Sequence, residues 1–227
     1  MNLKEHYNQL YIDAVEKIKS DQYSIDQLID SSSDNRFGIT VVIRPSIDVK
    51  NKIQGFLTEL KKSNPNQYYY PNSDIHITVL SIISCHDGFD LKTISIPAYS
   101  TIIQKSIECI KKLEIHFQGV TASNSAILVQ GFINDNSLNQ LRENLRINFK
   151  NSGLSQSIDS RYAIHTAHST VMRFRDKIRD KETLLKTLEK YRNFDFGKFK
   201  IEQIELMHND WYQRYHFTQK LHSFELK

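Results

Sequence analysis

Apolar positions in residues 3 to 19 fall at Leu3, Tyr7, Leu10, Tyr11, Ala14, Val15 and Ile18, the 3.6-residue stripe of an amphipathic helix. Ser24 is placed to cap a short second helix carrying Ile25, Leu28 and Ile29, and the polar run 31–35 (SSSDN) reads as a loop. Phe37 to Arg44 (FGITVVIR) has the β-branched density of a buried strand and is closed by Pro45. Helical spacing returns over 47–62 through Ile53, Phe56, Leu57 and Leu60. A turn-rich piece containing Tyr68, Tyr69 and Tyr70 then leads to a second β-favouring run, His76 to Ile82 (HITVLSI).

The second half repeats this order. Residues 85–96 read as a connection, and a helix is expected from Pro97 to about Leu113, with Ile102, Ile103, Ile107 and Ile110 on one face. Two strands, 115–120 and 125–133, turn at Ser123-Asn124. Asn136 or Ser137 caps a helix through Leu138, Leu141 and Leu145, and a polar loop passes Tyr162 into the run His168 to Phe174 (HSTVMRF). A helix over 181–191, a strand over 200–208, a turn at Asn209-Asp210 and a strand pair over 211–226 close the chain. The interleaving of helices with hairpin-like strands predicts an α+β fold with mixed or antiparallel sheets. Residues 1–36 read as an N-terminal helical extension, and 37–227 as a single domain.

Composition narrows the class without choosing a function. At 227 residues the chain can bury a sizeable core. A net charge of +4 suits an anionic ligand but is far from a duplex-binding basic patch. Cys85 and Cys109 form no CxxC and no metal-like group, so reduced thiols are expected. The charged N-terminus lacks the apolar core of a signal peptide, and no run approaches the roughly 18 apolar residues of a membrane span. A soluble cytoplasmic monomer is the expectation.

The candidate chemistry lies in the two short β runs. Each opens on His-x-Thr-Val, and alternation on a strand projects His76 with Thr78, and His168 with Thr170. The chain contains a third His-x-Thr, at His216 and Thr218, against about 0.4 expected by chance. That copy lacks the following Val and the strand–helix–loop that precedes the others, so it is set aside. His165 and His168, three apart, face opposite sides of one strand, and no HExxH, CxxC or acidic cluster points to a metal. Asp74, two residues before His76, is placed to orient it. Phosphate-binding glycine loops and a GxSxG nucleophile elbow are missing from the sequence.

Paired His-x-Thr strands in an α+β chain of this length resemble the 2H (two-histidine) phosphoesterases, whose relatives include RNA 2′-5′ ligase-like proteins and cyclic phosphodiesterases. The resemblance spans about residues 37–226. It implies two pseudo-symmetric lobes, each giving one motif strand to a central cleft, with no cofactor and no metal. It also implies His76, Thr78, His168 and Thr170 as catalytic residues: one imidazole as base, the other as acid, and the hydroxyls donating to the phosphate oxygens. Which imidazole is the base is open, with His168 the working choice. The implied substrate is a cyclic or 2′-5′-linked nucleotide or RNA phosphodiester. A non-catalytic nucleotide or RNA-end binding module and a 2′-5′ ligase are the alternatives. Tyr162 and Tyr70 are expected at the cleft mouth, where either could stack a base. Arg161, Arg173 and Arg175 add positive potential, with Arg173 facing away from His168 by strand parity.

Overall fold

A computed structural model describes residues 2–227. The chain runs α1 (Leu3–Lys19), β1 (Arg36–Ile43), α2 (Ile47–Ser63), β2 (Tyr68–Tyr69), β3 (Ile77–Asp87), α3 (Ile96–Ile107), β4 (Leu113–Ala122) and β5 (Ala126–Phe132). It continues α4 (Ser137–Lys150), β6 (Ser169–Arg173), α5 (Lys181–Lys190), β7 (Asp195–Ile201), β8 (Gln203–Asp210) and β9 (Gln219–Glu225). One sheet has the order β3-β1-β8-β9 and the other β2-β6-β5-β4-β7, with every pairing antiparallel. Each sheet thus contains a strand–helix–strand unit, β1-α2-β3 in one and β5-α4-β6 in the other. This is the α+β, two-lobed architecture expected from the sequence. Among the described residues no helix is long and apolar enough to cross a membrane.

Residues 2–36 are woven into both lobes. The α1 helix is capped by the Asn2 side chain at the amides of Lys4 and Glu5, and it buries Tyr7, Ala14 and Ile18. Residues 24–26 are irregular and 27–30 form a turn, not the expected short helix, because the amides of Ser24 and Asp26 have partners in the second lobe. Ser24 N–H donates to Asn124 O at 2.8 Å, and Asp26 N–H to Phe174 O at 2.7 Å.

Other departures share a cause, tertiary pairing overriding local pattern. Tyr68 and Tyr69 leave the loop state to pair as a two-residue strand with Arg173 and Met172. The expected single strand over 200–208 is divided at Glu202, so that β7 belongs to one sheet and β8 to the other. β8 continues to Asp210, the turn shifts to 211–213, and only β9 forms in the closing segment. β3 runs on to Asp87, and α3 stops at Ile107, six residues early.

The motif strands carry bulges. Along β3, partners step from Thr78 to Leu80 while β1 moves only from Val42 to Val41, and from Ser81 to Ile83 while β1 moves from Thr40 to Ile39. Each step inserts one unpaired residue and reverses the parity of the residues beyond it. Half-buried polar side chains therefore recur at every third position, Thr78, Ser81 and Ser84, along one wall. Glycines admit the close approaches beside both motif strands. A Cβ on Gly38 would lie 2.3 Å from Ile83 O, and one on Gly131 would lie 2.0 Å from Ala167 O.

Candidate functional site

Thr78 and Thr170 stand near the starts of β3 and β6, with His76 and His168 just ahead of those strands, and all four line one open cleft between the lobes. The two imidazoles are held by their Nδ1 atoms. His76 Nδ1 is 2.7 Å from the backbone oxygen of Asp74, which can only accept, so Nδ1 carries the proton and Nε2 keeps its lone pair. The orienting group is thus the Asp74 carbonyl. The Asp74 carboxylate instead accepts from Ser73 Oγ and the Tyr215 amide. His168 Nδ1 is 2.6 Å from Thr166 Oγ1, a hydroxyl able to donate or accept.

Both rings are held neutral. Burial lowers His76 to about 3, assisted by the positive charge of Arg44 and by His168 and Arg173, against the opposing Asp74 carbonyl. Burial lowers His168 to about 4, assisted by Arg142, Arg173 and His6. The hydroxyls of Thr78 and Thr170 have no hydrogen-bond partner among the described residues, which leaves them available to a ligand.

Arg173 departs from the expected orientation. Leu128 pairs with Thr170 but the adjacent Ile127 pairs with Met172, so Val171 is an extra residue on β6. The bulge reverses parity, and Arg173 joins the cleft wall with His168 and Thr170. Its guanidinium is fixed by Nε donating to Tyr70 Oη at 2.9 Å and by Asp26 Oδ2 at 3.7 Å from Nη1. Asp26 is held in turn by Tyr212 Oη, which donates to Oδ1 at 2.9 Å.

Tyr70, expected at the mouth, is a wall residue 1% exposed, because β2 draws its segment into the sheet. Tyr162 does lie on the rim, 65% exposed. Arg161 reaches the cleft with Nη2 on Cys85 O at 2.7 Å and its guanidinium 4.7 Å over the Trp211 ring. Arg175 stays outside, near Asp30. The third His-x-Thr lies in a 3₁₀ turn (Tyr215–Phe217) with His216 exposed and outside the cleft lining. Cys85 lines the cleft, but burial pushes its thiol up to about 12, so it is no ready nucleophile. Among the described residues no group of three His, Cys, Asp or Glu is gathered in metal-binding geometry.

One buried residue that the sequence reading did not single out connects the motifs. Arg142, on α4 and 1% exposed, donates Nε to Val79 O at 2.8 Å, and Nη2 to Thr78 O at 3.0 Å and Thr166 O at 2.7 Å. It bonds the carbonyls of one motif strand and of the segment leading into the other. Only the helical spacing Leu138-Leu141-Arg142-Leu145, with a charge inside an apolar stripe, could have signalled it.

Two lobes that each deliver a His-x-Thr strand to one cleft define the two-histidine phosphoesterase class. The AKAP7 2′5′ RNA ligase-like domain model matches residues 17–225, and the chain belongs to this family of the 2H phosphoesterase superfamily. The fold is similar to TT0787 of Thermus thermophilus, with a TM-score of 0.63 at 12% identity, covering 83% of this chain and 97% of that one. It is similar also to E. coli LigT complexed with 3′-AMP, with a TM-score of 0.58 at 12% identity over 85% of this chain and 99% of that one. A structure described as a phosphoesterase gives a TM-score of 0.56 at 14% identity over 84% and 98%. No curated protein sequence gives a significant match.

Proposed function

We propose that the chain is a metal-independent phosphodiesterase that hydrolyses cyclic or 2′-5′-linked nucleotide or RNA phosphodiesters by two-histidine acid–base catalysis. The observation that carries this reading is the pair of imidazoles, each tied by Nδ1 to its own lobe, in one cleft with two free threonine hydroxyls. The solved LigT complexes with 3′-AMP, ATP, NADP+ and phosphate support a nucleotide ligand.

Displacement at phosphorus needs a base beside the attacking oxygen and an acid beside the leaving oxygen. His76 suits the base, since its carbonyl partner fixes the proton on Nδ1 and leaves Nε2 to accept from water. His168 suits the acid, since the Thr166 hydroxyl at its Nδ1 can accept as well as donate, and an entering anionic phosphate offsets the surrounding cations. This reverses the working order drawn from resemblance. Water would lose its proton to His76 and attack phosphorus, while His168 protonates the departing ribose oxygen. Thr78 and Thr170 would donate to the non-bridging oxygens, and Arg173 would supply fixed positive charge beside them. Tyr162, free on the rim, is available to stack a base.

The test is turnover of 2′,3′-cyclic nucleotides and 2′-5′ dinucleotides by the wild type, His76→Ala and His168→Ala, with chelator present. Loss of about 10²–10⁴-fold in each variant is expected, with an unchanged circular dichroism spectrum. Wild-type turnover in both variants refutes the mechanism. Tight binding without turnover in the wild type would indicate a binding module, and formation of a new linkage from cyclic ends a ligase.

A further inference from the structure

The β8–β9 connection contains a residue whose backbone and side chain are both held in costly states. Gln213 has φ of 61°, in the left-handed region that non-glycine residues seldom occupy. Its side chain lines the cleft, is 4% exposed overall, and leaves Oε1 buried without a hydrogen-bond partner. On the same stretch Asn209, also in the cleft lining and 2% exposed, leaves Oδ1 unpartnered. The Asn209 amide cannot simply be turned round, because Nδ2 donates to Asp210 O at 2.8 Å and lies 3.4 Å from Cys85 Sγ. Its orphan atom is therefore an acceptor by construction of the fold. Buried polar atoms are almost always paired, and an unpaired one is destabilising. Two together in one cleft wall, with a strained backbone beneath one of them, bring no benefit to folding.

We propose that Gln213, with Asn209 beside it, is a specificity-determining contact that reads hydrogen-bond donors on the nucleobase of the ligand. The inference rests on the nucleotide reading of this cleft. Both orphan atoms are acceptors in the cleft lining, the complement of an exocyclic amino group. The left-handed turn is what aims the side chain inward. The segment cannot relax, because Arg214 is tied to Asp210 by Nε to Oδ2 at 2.6 Å and to Ile29 O by Nη1 at 2.9 Å.

The experiment is calorimetric binding of the four ribonucleoside 3′-monophosphates to the full chain, for the wild type, Gln213→Gly and Gln213→Ala, with a melting temperature for each. Binding needs no turnover, so it is read independently of catalysis. The wild type is expected to favour the amino-bearing bases over uridine. Gln213→Gly, which accepts a positive φ freely, should keep or raise the melting temperature while the preference shrinks by about tenfold, the worth of one or two neutral hydrogen bonds. Gln213→Ala should lose the same preference. The proposal is overturned if the preference survives in Gln213→Gly, or if all four ligands weaken equally, which would assign the contact to phosphate or ribose. It is overturned also if the melting temperature of Gln213→Gly falls, since the residue would then be structural. If the wild type binds none of the four while cleaving a phosphodiester, only this inference fails. If it does neither, the nucleotide reading fails with it.

Discussion

Replacing Arg142 with Met preserves the length of the aliphatic stem and removes the group that bonds the two motif strands. The wild-type guanidinium makes three charge-assisted hydrogen bonds, to the carbonyls of Thr78, Val79 and Thr166, each worth about 1.5–3 kcal/mol. Against this stands burial, which lowers Arg142 to about 10 and so costs roughly 3 kcal/mol at about 1.4 kcal/mol per pH unit. The balance leaves a loss of about 1.5–6 kcal/mol, because the three carbonyls stay buried when their donor goes. For a domain of this size that lowers the melting temperature by roughly 10 °C. Differential scanning calorimetry measures it, and Arg142→Lys, which cannot make all three bonds from one ammonium in this geometry, should fall between. Turnover should drop further than the unfolded fraction explains, since both motif segments lose their shared anchor. A melting temperature within about 2 °C of wild type in Arg142→Met would refute the idea that this cation holds the lobes in register.

Acid stability should report the two half-buried imidazoles. Both are neutral in the fold with values near 3 and 4, whereas the unfolded chain binds their protons below about pH 6.5. Their contribution is therefore complete above about pH 6.5 and is lost as pH falls toward 4, with a limiting slope of about 2.7 kcal/mol per pH unit for the pair. Urea titrations at about pH 7 and about pH 5 on the wild type and on a His76→Gln, His168→Gln double variant isolate this, and equal pH dependence in the two proteins would contradict it. Asp26→Asn should loosen Arg173 and lower kcat about tenfold, with little change in the melting temperature, because the pair at 3.7 Å is supplemented by the Tyr70 bond. An unchanged kcat would mean that Tyr70 alone positions the guanidinium.

Much of the fold was legible because it is written in local periodicity. The strand–helix–strand order of both lobes follows from apolar spacing, and the His-x-Thr pairs stand where alternation places them. What escaped depends on long-range partners. Arg142 looks like a misplaced charge in an amphipathic helix until the carbonyls of β3 are seen above it. Tyr68 and Tyr69 carry no turn residues, yet they read as loop because their strand is two residues long. The short helix expected at 24–29 yields to backbone bonds with Asn124 and Phe174, residues that no local window includes. Gln213 gives no signal, since nothing in its neighbourhood requires a left-handed residue. Bulges are the hardest case. The recurrence Thr78, Ser81, Ser84 has nearly helical spacing, and only the pairing with β1 shows that it lies along a strand.

The extra residue at Val171 has a bearing on how such proteins diverge. Point substitutions around His168 and Thr170 leave a visible trace in the motif, whereas the bulge that orients Arg173 leaves none. Pairing of β6 without the bulge, at unchanged length, would restore simple alternation, carry Arg173 out of the cleft and leave Asp26 and Tyr70 facing a vacated position. Two chains with the same His-x-Thr-Val signature can therefore differ by one fixed positive charge in the cleft.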